Sequence, residues 1–196
     1  MRDELELDSL PQVRALAHPI RLRILTLLGR QQLTNKQIAE RLALSPPRVH
    51  FHLRELASAG LVHLVEERPK GGVVEKYYRA VASGFRLAPG LGGAAALQPE
   101  LADAVFAAAS KDLAAAVAHF RELAAGIRVV QTSAPLSPDR LVRVTSHFDA
   151  INEEFAAAND EPRAADDAVT PEIQLTYVMH PLPPTEVDGG ANSEQT

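Results

Sequence analysis

The sequence predicts a mainly α-helical chain with a small β component, divided into two domains. Three observations carry that expectation. The 196 residues are 46% apolar and 23% charged, ordinary globular usage and enough for one domain or two small ones. Charge is spread unevenly: residues 9–82 hold twelve Lys or Arg against five Asp or Glu, a net +7, whereas residues 83–196 hold seven against sixteen, a net −9. The overall −5 therefore hides one block suited to a polyanion. Finally, apolar spacing is helical along most of the chain and strand-like in a few short segments.

What the residues lack is also informative. With no cysteine there is no disulfide framework, thiolate metal site or cysteine nucleophile. No run reaches the roughly 18 apolar residues of a membrane span, and MRDELELD is not the basic-then-apolar design of a signal peptide. A cytoplasmic protein without a membrane partner is expected.

Leu10–Ala17 is a short apolar-periodic stretch ended by His18-Pro19, because proline pushes its predecessor out of the helical region. Ile20–Gly29 places Leu22, Ile24, Leu25, Leu27 and Leu28 in one compact run with glycine at a usual stop position. Thr34 and Gln37 have the spacing of a capping box, opening a third helix with Ile38, Ala39 and Leu42 inward. After Ala43 and Leu44, Ser45 caps a fourth helix whose first-turn Pro46 and Pro47 need no backbone donor, and Gly60 ends it. At 100° per residue, Val49, Leu53 and Leu56 share one face of that helix. Pro47, Phe51 and Arg54 lie opposite, flanked by Arg48 and His50. An exposed aromatic ring between cations suits a major groove, with a thymine methyl for Phe51 and guanine edges or phosphates for Arg48 and Arg54. Leu61–Glu67 and Val73–Arg79 are strand-like runs around the turn RPKGG, a hairpin with Arg68, Lys70 and Lys76 placed for phosphates.

Between Ser83 and Pro99, SGFRLAPGLGGAAALQP reads as a linker; a long surface loop within one domain is the other reading of the same residues. Pro99–Gly126 is alanine-rich and helical, with a stripe through Leu101, Val105, Ala109, Leu113, Val117, Phe120 and Ala124. Ile127–Thr132 reads as a strand. Ser137-Pro138 opens another helix with Leu141, Val144, Phe148, Ile151 and Phe155 on one face, the three-four spacing of a pairing seam. Ile173–Met179 alternates as a strand, and the residues after Pro181 form a polar tail.

The ordered set LAHPIRLRILTLL, LTNKQIAERLALSPPRVHFHLRELASAGLV and the hairpin ending KYYRA resembles the winged helix-turn-helix of ArsR-type bacterial transcriptional regulators. The resemblance covers about residues 10–82. It implies a homodimer on double-stranded DNA, the fourth helix in the major groove and the wings on the flanking backbone. In that comparison Ser45, Pro47, Arg48, His50 and Phe51 fall at DNA-contacting positions. His52 matches a histidine common in the family, and at about 300° on the wheel its expected role is structural. Where the family's metal sensors carry cysteine pairs or His and carboxylate clusters, this sequence has neither. Pro46-Pro47 stands where small polar residues are usual, so base preference does not transfer.

The expected layout is a winged helix-turn-helix over 1–82, a linker over 83–98, a C-terminal α+β dimerisation or sensor domain over 99–181, and a disordered tail over 182–196. Base edges fall to Pro47, Arg48, His50, Phe51 and Arg54, and the backbone to Thr34, Lys36, Ser45, Arg68, Lys70 and Lys76. Leu113, Val117, Phe120, Leu141, Val144, Phe148, Ile151 and Phe155 line the dimer or effector domain. The alanine-lined helices leave room for a small apolar or aromatic effector, and equally allow close helix packing. No metal is expected, since of His147, Asp149 and Glu153 only the last two share a helix face, and no cofactor. No enzyme is expected either, because no phosphate loop, Gly-x-Gly-x-x-Gly or Gly-x-Ser-x-Gly occurs. A repressor is the expected function. The alternative, a winged helix used only for protein contacts, would not need the basic excess and would lack steep salt dependence.

Overall fold

The structure, a computed structural model, describes residues 2–119, 133–160 and 175–176. The chain divides into two compact units, Met1–Pro162 and Arg163–Thr196. Of the second, only Leu175 and Thr176 are described, without regular structure. The expected strands at 127–132 and 173–179 (but for those two residues), the expected tail and Phe120 lie outside the described residues.

Among its described residues the first unit is mainly helical with two small sheets. Its elements run β1 (Arg2–Leu7), α1 (Leu10–Leu16), α2 (Pro19–Arg30), β2 (Leu33–Thr34), α3 (Asn35–Leu42), α4 (Pro46–Ser58), β3 (Val62–Lys70), β4 (Val73–Ala80), β5 (Ala82–Leu87), a 3-10 turn at Ala94–Leu97, α5 (Gln98–His119) and α6 (Pro138–Asp160). Leu7, Val13, Ile24, Leu28, Leu33, Ile38, Val49, Leu56 and Leu61 are fully buried. Each such side chain contributes roughly 1.5–3 kcal/mol by leaving water, so every helix from α1 to α4 is held by the same core.

Helix ends follow local chemistry. At α1, Gln12 Oε1 accepts from the N–H groups of Asp8 (3.0 Å) and Ser9 (3.3 Å). Arg21 reaches back from α2 to the carbonyls of Ala15 and Arg14, covering acceptors that a helix end leaves free. Thr34 Oγ1 accepts from Gln37 N–H (3.2 Å) while Gln37 Oε1 accepts from Thr34 N–H (2.9 Å), the expected box. Ala43 closes α3 in the left-handed region at φ 52°, and Leu44 N–H donates to Ala39 O (2.9 Å). Gly60, at φ 70°, ends α4 as expected. Gly29 does not stop α2: the helix continues to Arg30 and Gln31 caps it.

β3 and β4 form the antiparallel hairpin, with β2 on the other side of β4. β3 extends further than expected, to Lys70, and turns through Gly71 (φ 56°) and Gly72 (φ 83°). Two positive φ values are what a tight hairpin turn demands, and only glycine adopts them without strain. A bulge between Leu64 and Glu66 shifts the register so that Glu66 faces Tyr77 and Arg68 faces Glu75.

The linker expectation for 83–98 needs correction. Ala82–Leu87 is a strand paired in parallel with β1, from Arg2↔Ala82 to Leu7↔Leu87, and Phe85, Leu87, Leu91 and Leu97 pack against the core. Arg86 donates to Glu4 (2.9 Å) and Glu6 (2.9 Å) across the pair. Of the glycines that suggested a linker, Gly84 lies inside β5, and Gly90, Gly92 and Gly93 follow it, Gly90 and Gly93 at positive φ. The boundary at residue 99 moves for the same reason. Ala104 and Ala108 of α5 are buried, Leu101 packs against the core, and Arg23 of α2 donates to Asp112 at 2.6 Å. Phe106, Leu113 and Val117, on another face of α5, are exposed.

Candidate nucleic-acid interface

α4 is built to present one face and bury another. Val49, His52, Leu53 and Leu56 are buried, whereas Pro47, Arg48, His50, Phe51 and Arg54 are exposed, the division expected from the wheel. Phe51 is 57% exposed, unusual for a ring of that size. Among the described residues, neither Arg48 nor Arg54 has a carboxylate at ion-pair distance.

The helix start is shaped by what Pro46 and Pro47 remove. With two N–H groups gone, the first turn offers few backbone donors. Ser45 holds the N-cap backbone position, its carbonyl accepting from Val49 N–H (3.1 Å), but its hydroxyl makes no cap bond and is exposed. Asn35, at the start of α3, donates from Nδ2 to Pro46 O (3.0 Å). That bond ties the start of α3 to the start of α4, and periodicity gives no sign of it.

Behind α4 lies a histidine pair. His52 is only 4% exposed, its ring 4.6 Å from that of His18. His18 Nδ1 accepts from Ile20 N–H (3.1 Å), capping α2, so that nitrogen carries no proton. Burial pushes His52 down to about 4, with His18, Arg21 and Arg48 adding repulsion. His18 is lowered too, by burial and then by Arg21 and Arg48. Both imidazoles are therefore neutral at physiological pH, in keeping with the structural role expected for His52.

The backbone-contact residues are arranged less simply than expected. Thr34 is buried and its hydroxyl is taken up by the capping box, which removes it from any phosphate-binding set. Lys36 is exposed, 3.9 Å from Glu40. In the wing, Arg68 donates twice to Glu66, at 2.6 Å each, and lies 4.6 Å over the Tyr77 ring. Lys70 meets Glu75 and Lys76 meets Glu67, both at 3.2 Å. The positions are exposed, but each cation ends on a carboxylate of its own hairpin. Of the remaining expected residues, Leu141, Ile151 and Phe155 of α6 are exposed, and Val144 and Phe148 half-buried.

The helix-turn-helix domain family matches residues 16–65. An HTH-type transcriptional regulator of Methanocaldococcus jannaschii is 38% identical over 76 residues, spanning 38% of this chain and 77% of that protein. The chain belongs to the ArsR-type helix-turn-helix regulators. Among solved structures, this ArsR-type regulator is similar to the transcriptional regulator HlyU from Vibrio vulnificus CMCP6, at 30% identity over 36% of this chain and 68% of that one, with a TM-score of 0.30. It is also similar to the adhesin competence repressor AdcR from Streptococcus pyogenes, at 15% identity over 69% of this chain and 80% of that one, TM-score 0.29. As an ArsR-type regulator it is a DNA-binding transcription regulator. Among the described residues, no helix is long and apolar enough to cross a membrane.

Proposed function

We propose that the protein is a homodimeric repressor that reads double-stranded DNA with α4 in the major groove and sets its wing beside the flanking backbone. The observation that carries this reading is the outer face of α4, where Phe51 and two arginines without carboxylate partners among the described residues stand on a helix fixed by buried Val49, Leu53 and Leu56. Arg48 and Arg54 supply charge and guanine-edge donors, and Phe51 an apolar surface for a thymine methyl. Pro47 and His50 border that surface, while Ser45 and Lys36 reach phosphates. The exposed stripe of Phe106, Leu113 and Val117 on α5 and the apolar face of α6 supply the dimer contact.

Fluorescence anisotropy on the duplex upstream of the protein's own gene and on a scrambled duplex, across a salt series, tests the reading. Specific binding that weakens linearly in log–log form with salt is expected. Binding to neither duplex, or binding indifferent to salt, would overturn it. A screen for small aromatic compounds that release the bound duplex tests for an effector.

A further inference from the structure

The wing carries its own counter-ions. Arg68, Lys70 and Lys76 are matched one for one by Glu66, Glu75 and Glu67. This is a built arrangement. The bulge after Leu64 turns Glu66 and Arg68 onto the face of Tyr77; without the extra residue, both would share the face of Val62 and Leu64, since one residue of register reverses every later side chain. On that face the Tyr77 ring supports the Arg68 guanidinium at 4.6 Å and the Tyr77 hydroxyl donates to Glu75 (3.1 Å). Gln32, in the segment before β2, donates to Glu66 (3.3 Å). Arg68 holds Glu66 below the usual carboxylate range, and Lys70 does the same for Glu75, so both are anions at neutral pH. The hairpin thus offers a passing polyanion three cations whose charge is already cancelled. α4, in contrast, offers Arg48 and Arg54 with no carboxylate in ion-pair reach among the described residues.

We propose that Glu66, Glu67 and Glu75 are standing competitors for DNA phosphates that hold down the wing's grip on duplex of any sequence. Phosphate contacts favour all sequences alike, whereas base contacts discriminate. A wing that must exchange each carboxylate for a phosphate adds almost nothing to binding at any site, so the affinity rests on α4. The inference depends on the DNA-binding reading above.

The test uses the full chain with Glu66→Gln/Glu75→Gln, which keeps side-chain shape and removes charge, and with Glu67→Gln as an independent variant. Affinity is measured on the native and scrambled duplexes from low to high salt. The double variant should bind both duplexes about tenfold more tightly at low salt, with a salt slope steeper by about 0.9 per freed cation, and the ratio of native to scrambled affinity should stay as it is in the wild type. Arg68→Gln should weaken binding, and Glu66→Gln/Arg68→Gln should return to the wild-type value, because the pair contributes no net charge. Unchanged slopes, no tightening on either duplex, or a pair variant as weak as Arg68→Gln alone would each overturn the inference while leaving DNA binding intact. A wild-type chain that binds no duplex would remove the reading and the inference together.

Discussion

Single residues on α4 should separate recognition from stability. Phe51 is mostly in solvent, so Phe51→Ala should leave the melting temperature nearly unchanged while relaxing the preferred site at a T-containing position, as read by binding to a set of single-base variants. Arg54→Ala should weaken binding to every sequence and make the salt slope shallower by about one. His52 behaves oppositely, affecting folding. It releases its proton at about 4 when folded and near 6.5 when unfolded, so between these values the unfolded state binds more protons. Stability is level above that range and falls as pH drops through it, and lowered His18 acts in the same direction. Thermal melts from pH 7 to pH 4 should show the decline, and His52→Leu should flatten it. The outward Phe51 is legible from the 100° rule, which puts His52 only at the edge of the core. The partners of Arg68, Lys70 and Lys76 were not, because ion pairing depends on cross-strand register and a bulge that alternation cannot locate.

At the scale of elements, caps and breakers were read most securely, because their chemistry is local. The Thr34 box, the Pro46-Pro47 start of α4 and the Gly60 stop each involve atoms within four residues. Gly29 misled because a glycine inside a helix and one after it look alike in sequence, and only the neighbouring contacts decide. Ala43 shows the converse, a left-handed position filled by a residue with a Cβ. A left-handed L-residue costs about 1–2 kcal/mol, and glycine returns part of that as chain entropy when unfolded, about 0.4–1 kcal/mol. Ala43→Gly should therefore stabilise the protein by roughly 0.5–1 kcal/mol, visible as a higher midpoint in urea.

For the whole molecule, the basic winged helix does not stand alone as its charge suggested. β5, the turn after it and the first half of α5 complete the core, and the sequence hid this because SGFRLAPGLGG has a linker's glycines around a strand's Phe85 and Leu87. A chain ending at Ala82 keeps every helix of the family motif but leaves β1 unpaired and loses Leu97, Leu101, Ala104 and Ala108. It should melt well below a chain ending at His119, which keeps the β1 pairing and those side chains. Equal melting of the two truncations would show that the added layer is dispensable.

The parallel pairing of β1 with β5 also sets an order of events during synthesis. A hairpin can zip as it emerges, but β1 is made some 80 residues before its partner, with the entire winged helix serving as the crossover between them. Until Leu87 has left the ribosome, Leu5 and Leu7 have no strand to join, and closure must bring distant segments together at the loop-entropy cost that slows folding. The helix-turn-helix can therefore assemble before β1 and β5 meet, and the late step is the closure of β1 onto a strand made after the wing.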